Sequence, residues 1–102
     1  MATSEKSPVI ACTLNASDLA AQAARWLQLR SAAELSRVET EDGFRLNFQD
    51  TPDVEAELHE LVAVENDCCS WASWKVFRED GALVMHASST ANGVDALHGL
   101  FR

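Results

Sequence analysis

The chain has 102 residues, of which 47% are hydrophobic, and 16 acidic residues against 8 basic ones give a net charge of −8. A single domain of this length buries enough apolar surface to fold without disulfides. The negative charge opposes binding to nucleic acid or anionic membrane, because phosphate contacts need clustered Lys and Arg. We therefore expect one domain over residues 1–102, with residues 1–7 flexible and no nucleic-acid partner for this chain alone.

The N-terminal residues and the cysteine count bear on the cellular compartment. Residues 1–7 are polar and small, and no apolar h-region of a signal peptide follows the single Lys6, so we expect no secretory signal. No stretch approaches the ~20 apolar residues of a membrane span. Three cysteines is an odd number, which fits poorly with a secreted disulfide framework. We expect a cytoplasmic protein with free thiols that does not associate with membranes.

The first half of the chain predicts four elements. They are a strand at Pro8–Leu14, a helix from Asp18 to about Leu29, a strand at about Glu34–Glu41 and, after an Asp42-Gly43 turn, a strand at Phe44–Phe48. The helix rests on the spacing of Leu19, Ala23, Trp26 and Leu27. The strand at 34–41 is irregular, because Leu35 and Val38 break the two-residue period.

The second half predicts two more helices around a hairpin. Thr51 is the expected N-cap of a helix that has Pro52 at its first position. The apolar stripe of this helix contains Val54, Leu58, Leu61 and Val62, and it continues into Glu65, Cys68 and Cys69. Next come a strand with Trp74, Val76 and Phe77, an Asp80-Gly81 turn, and a strand at Leu83–Ala87. Asn92 is expected to cap a last helix that carries Val94, Leu97, Leu100 and Phe101.

The predicted order β-α-β-β-α-β-β-α indicates an α+β fold. A strand-helix-strand unit followed by hairpins favours a mostly antiparallel sheet with helices on one face. We expect a ferredoxin-like variant with one added strand and helix.

Cys68 and Cys69 form the most distinctive chemical feature of the chain. Glu65, Cys68 and Cys69 share one helix edge at i, i+3 and i+4, and that edge continues the apolar stripe. A carboxylate on a buried stripe is costly unless it is paired, and a bound cation would favour both the carboxylate and deprotonated thiols. If the first strand lies under this helix, Cys12 reaches the same point. Three thiolates suit a soft metal or metalloid, with Glu65 or His86 as a further ligand.

Two other interpretations of the cysteines stay open. As a thiol enzyme, the chain would use Cys68 or Cys69 as nucleophile and Glu65 as proton shuttle. A helix C-terminus and neighbouring acids raise a thiol pKa, which opposes this chemistry, and there is no C-x-x-C spacing. Alternatively the cysteines only pack, and Trp26, Trp71 and Trp74 line a small-molecule pocket or a dimer surface. An exposed sheet face would be compatible with a homodimer.

The residues quoted so far resemble those of a known group. Cys12-Thr13-Leu14 and the run from Glu65 to Trp71 resemble the C-T-L and E-x-x-C-C-x-aromatic pattern of small bacterial proteins, largely without assigned function. Similar segments follow the DNA-binding portion of some MerR-type regulators, where they look like effector domains. The chain departs from the pattern at Ser70, where relatives often have proline. The resemblance implies a ligand-sensing or soft-ion-binding domain, for which mercury(II), copper(I), zinc(II), lead(II) and arsenic(III) are chemically admissible partners.

Overall fold

The structure, a computed structural model, describes residues 16–68 and 71–101. The predicted strand Pro8–Leu14, the expected flexibility of residues 1–7, and Cys12 and Cys69 lie outside the described residues. The described elements are, in chain order, α1 (Ala16–Ala33), β1 (Glu34–Thr40), β2 (Gly43–Phe48), α2 (Pro52–Cys68), β3 (Ser73–Glu79), β4 (Ala82–Ser88) and α3 (Asn92–His98).

The four strands form one antiparallel sheet in the order β1-β2-β4-β3. The structure confirms the predicted α+β class with an antiparallel sheet. The arrangement of the described helices and strands is consistent with the predicted ferredoxin-like fold. Alternate residues of the strands, among them Phe44, Leu46 and Met85, point to one face and are fully buried under the helices. The opposite face carries no helix among the described elements, so we call it the open face.

Helix α1 is longer than predicted and buries a different stripe. It runs from Ala16 to Ala33, and its buried residues are Gln22, Trp26, Leu29 and Ala33. Leu19 and Leu27, which we expected on the buried side, are 42% and 67% exposed. The prediction was wrong because it counted apolar residues only, whereas the glutamine at position 22 occupies a place on the buried stripe.

Strand β1 owes its irregular sequence to a β-bulge between Glu34 and Ser36. The extra residue, Leu35, shifts the alternation, so that Val38 lies opposite Arg45 of β2 on the open face. The broken two-residue period of this segment therefore reflects one inserted residue in a regular strand pair.

The two Asp-Gly pairs of the chain have different roles. Asp80 and Gly81 have φ angles of 53° and 79° and make the turn between β3 and β4, as predicted. In the first hairpin the turn falls on Glu41 and Asp42, and Gly43 is already the first residue of β2. A Cβ at Gly43 would lie 1.9 Å from the Ala87 carbonyl oxygen, so this glycine is required by the close approach of β4.

Helix α2 begins as predicted. The backbone N–H of Val54 donates to Thr51 Oγ1 over 3.3 Å, and Asp53 and Glu55 lie in the first turn. Helix α3 begins differently, because Asn92 is its first helical residue and not its cap. The N-cap position belongs to Ala91, with φ of 51° and no side-chain cap.

Candidate functional site

Helices α1 and α2 pack antiparallel. Near the start of α1, Gln22 contacts Glu65 close to the end of α2, whereas Arg25, farther along α1, pairs with Glu57 in the middle of α2. The beginning of α1 and the end of α2 therefore lie at the same end of the domain. We call the contact among Gln22, Trp26, Leu61 and Glu65 at this end the helix junction.

The Glu65 carboxylate is the centre of the helix junction. Its Oε2 accepts hydrogen bonds from the Trp26 indole Nε1 at 2.8 Å and from Gln22 Nε2 at 2.9 Å. Gln22 Nε2 also donates to the Leu61 carbonyl oxygen at 3.1 Å. Gln22 and Trp26 are buried, with 8% and 2% exposure, so both donors need an acceptor in the protein.

These bonds change the interpretation of Glu65. We expected the carboxylate to need a cation, since no packing role was visible in the sequence. Two side-chain donors from α1 compensate the desolvation of the carboxylate without any ion. Both bonds end on Oε2, and no residue in the described ranges donates to Oε1.

Of the three cysteines, the described residues include only Cys68, which lies beyond the helix junction. Cys68 is the last residue of α2, three residues after Glu65, as the sequence predicted for a helix C-terminus. Cys12 precedes the start of α1 at Ala16 by four residues, a length of chain that spans at most ~14 Å. Ala16 and Cys68 lie at the same end of the domain, because α1 begins where α2 ends. Cys69 follows directly along the sequence.

His86 lies away from the helix junction. It stands on β4 between Met85 and Ala87, which face the helices, so its side chain lies on the open face. There its Nε2 is 3.2 Å from Asp42 Oδ1. Thr40 Oγ1 also donates to Asp42 Oδ1, at 2.8 Å. The hydrogen bond from Thr40 and, to a smaller extent, the contact with His86 hold the pKa of Asp42 below its ordinary value. The structure does not bring His86 together with Glu65.

The three tryptophans belong to the core or its edge. Trp26 and Trp74 are 2% and 4% exposed, their ring centroids are 6.2 Å apart, and both contact Phe101. Trp71 is partly buried and packs against this cluster. None of the three lines either of the two surface grooves found among the described residues. The Nε1 atoms of Trp71 and Trp74 are buried and find no partner within residues 16–68 and 71–101.

Two residues at this end were missed by the sequence analysis. Gln22 was overlooked because it is polar. Asn66 holds the beginning of β3: its Nδ2 donates to the Trp74 carbonyl at 2.9 Å, and its Oδ1 accepts from the Trp74 backbone N–H at 3.0 Å. The amide thus acts as a short strand partner and connects the two sides of the 69–72 segment. An asparagine in the last turn of a helix is a weak signal, so only the structure identifies this role.

An ion pair orients the two helices farther from the junction. Arg25 donates to Glu57 through Nε and Nη2, at 3.0 and 2.7 Å, and to Glu60 at 2.9 Å. The hydrogen bond from Arg25 lowers the pKa of Glu57 below its ordinary value. The pairing sets the register of α1 on α2 and therefore helps to place Glu65 under Gln22 and Trp26.

Across the described ranges, no three His, Cys, Asp or Glu side chains are arranged to hold a metal ion. No helix in the same ranges has the length and apolar character needed to cross a membrane. No family model, curated protein or solved structure matched the chain.

Proposed function

We propose that this domain binds a thiophilic metal or metalloid ion at the end where α1 begins and α2 ends. The ligands would be the thiolates of Cys12, Cys68 and Cys69, and mercury(II), copper(I), zinc(II), lead(II) and arsenic(III) are the candidate ions. The observation that supports the proposal is the antiparallel packing of the two helices, because it puts the start of α1, four residues after Cys12 in the sequence, at the same end of the domain as the end of α2.

The position of Cys68 supports an ion over thiol catalysis. The residue ends α2, and the last turn of this helix contains no basic residue. The negative end of the helix dipole disfavours a free thiolate, so an unassisted nucleophile is poorly placed there. A bound cation reverses this effect, because its charge stabilises the deprotonated thiol. The resemblance of the segment from Glu65 to Trp71 to effector-like parts of MerR-type regulators points in the same direction.

As a further ligand of the ion, Glu65 has a smaller proposed role than the sequence suggested. Because Gln22 and Trp26 hold Oε2, only Oε1 remains to contact an ion from the carboxylate. Carboxylate oxygens suit zinc(II) better than mercury(II) or copper(I), which prefer sulfur alone. Glu65→Gln should therefore weaken zinc(II) binding more than copper(I) binding. His86 is not among the proposed ligands, because it lies on the open face.

The proposal is tested by titrating the reduced full-length chain with each ion while following thiolate-to-metal charge-transfer absorption. We expect one ion per chain and at least a tenfold weaker affinity in Cys68→Ser and Cys12→Ser. His86→Ala is the matched control and should bind as the unaltered chain does. Binding of no ion, or equal affinity in Cys68→Ser, would contradict the proposal.

A further inference from the structure

The open face of the sheet carries exposed apolar side chains. Leu35, Val38 and Phe77 are 58%, 50% and 38% exposed, although large apolar residues on a sheet normally lie under another layer. Leu35 and Val38 line a groove of about 430 Å³, together with Val84, and Phe77 lies beside Val84 on the neighbouring strand. Scattered apolar residues are ordinary on a surface, but here they stand on both edge strands of one sheet face, which suits a protein partner.

The open face carries little net charge, in contrast to the rest of the domain, since Asp42 beside His86 adds one negative charge to otherwise matched residues. Arg45 and Lys75 are matched by Glu79 and Asp80, and Arg45 both pairs with Glu79 and lies 5.6 Å over the Phe77 ring. Helix α2, on the other side of the sheet, has six acidic residues and no Lys or Arg. Two copies of this acidic chain repel each other through their helical sides, whereas their open faces can approach without this cost.

We propose that the open face is the surface through which two copies of this chain form a symmetric dimer. In a two-fold arrangement, Val38 and Phe77 of one copy cover the groove of the other, and the Arg45–Glu79 pairs lie at its edge. This inference does not depend on the proposed ion site, because the open face and the helix junction lie on opposite sides of the sheet.

The size of the face predicts a weak dimer. Four strands ~4.8 Å apart, each with six or seven residues at ~3.3 Å, give a projected area of roughly 400 Å² per copy. Two such faces bury roughly 800 Å², which is below the ~1,200 Å² of stable interfaces. The copies should therefore exchange between monomer and dimer in the range of ~10 μM to ~1 mM.

Sedimentation velocity of the reduced full-length chain over this concentration range tests the proposal. We expect a reversible dimer that becomes tighter when the ionic strength is raised from ~0.01 to ~0.1 M, since salt screens the repulsion between two chains of charge −8. Val38→Lys should raise the dissociation constant of the dimer at least tenfold. Leu35→Lys should have the same effect and replaces Val38→Lys in the test if that variant folds poorly.

Leu27→Lys is the matched control, because Leu27 is an exposed apolar residue of α1 on the other side of the domain. All three substitutions reduce the net charge equally, so a loss of dimer confined to the open-face variants is specific to that face. The proposal is overturned if the chain stays monomeric at ~1 mM, as expected if residues 1–15 cover the face. Equal weakening by Leu27→Lys would overturn it as well.

Discussion

At the scale of single residues, a carboxylate that looked misplaced in the sequence turns out to join two helices. Glu65 accepts from Gln22 and Trp26 through one oxygen, and the two donors lie on consecutive turns of α1. A hydrogen bond to a charged group contributes about 1.5–3 kcal/mol, more than a neutral one. The junction therefore contributes to stability whether or not an ion binds nearby.

The tryptophans provide a test of this contribution. Trp26→Phe removes the N–H that Glu65 accepts, while Trp74→Phe removes an N–H that has no partner in the described residues. Both changes delete a similar part of a buried ring. In urea unfolding we expect Trp26→Phe to lower the free energy of unfolding by about 1.5–3 kcal/mol more than Trp74→Phe does. Equal losses would show that the bond to Glu65 contributes nothing beyond packing.

The glycines give a second prediction at this scale. Gly43→Ala would place a Cβ 1.9 Å from the Ala87 carbonyl oxygen, so we expect a loss of about 3 kcal/mol from overpacking. Gly81→Ala meets no atom within 4 Å, but its φ of 79° is unfavourable for alanine, and we expect about 1 kcal/mol. Gly99→Ala, with φ of −81° and nearest contact at 3.5 Å, is the control. Thermal unfolding should rank the losses in this order.

At the scale of elements, the packing of α1 on α2 combines a buried stripe with surface ion pairs. Arg25 reaches Glu57 and Glu60 from the position next to Trp26 and one turn after Gln22. Exposed pairs of this kind contribute little each, but the bidentate geometry to Glu57 makes this one stronger than most. The same two helices carry the junction, so their register also determines which residues of α1 contact Glu65.

The Arg25–Glu57 pair predicts a dependence of stability on pH. The folded-state pKa of Glu57 lies below its ordinary value of 4.5, so the pair stabilises the fold above this pH. This contribution is lost as the pH falls through the lower, folded-state pKa, because the unfolded chain then binds the proton more readily.

We therefore expect the free energy of unfolding to fall less in Glu57→Gln than in the unaltered chain when the pH is lowered from about 5 to about 3. The two falls should differ by several tenths of a kcal/mol. Glu41→Gln changes the net charge equally at an exposed turn and serves as the control. Urea unfolding at a series of pH values makes the comparison. A pH dependence of Glu57→Gln that matches that of Glu41→Gln would contradict the prediction.

At the scale of the whole molecule, the sheet separates two sides with different chemistry. The helical side holds the aromatic cluster and the junction, and the open face holds the groove beside Val38. We place the ion site at one end of the first side and a dimer contact on the second. The two proposals can therefore fail independently.

Ion binding at the junction end predicts a global effect on stability. An ion that binds only the folded chain adds about 2.7 kcal/mol at a hundred times its dissociation constant. For a domain of this size, such a gain raises the melting temperature by roughly 10–20 °C. Differential scanning calorimetry should show this rise with the unaltered chain and with His86→Ala, and at most about half of it with Cys68→Ser at the same ion concentration. A rise of equal size in Cys68→Ser would locate the binding elsewhere.

The sequence by itself determined the elements whose signals are local. The structure confirms the strands predicted at Phe44–Phe48 and Leu83–Ala87, the Thr51-Pro52 start of α2 and the Asp80-Gly81 turn, all of which depend on residues a few positions apart. The α+β class follows from the order of these elements, because each must bury its apolar face against another. The position of Cys68 at a helix end was also predicted, because the apolar stripe of α2 continues as far as this residue and a strand follows it.

Only the tertiary structure decided which distant residues meet. Glu65 is 43 residues from Gln22 and 39 from Trp26, and no local pattern predicts those contacts. The packing of the helices on one side of the sheet left His86 on the open face, on the opposite side from Glu65. Cys68 and Cys69 thus remain the centre of the proposed site, but their glutamate neighbour already has protein partners. Periodicity shows that a side chain is buried, whereas its partners depend on how the elements pack.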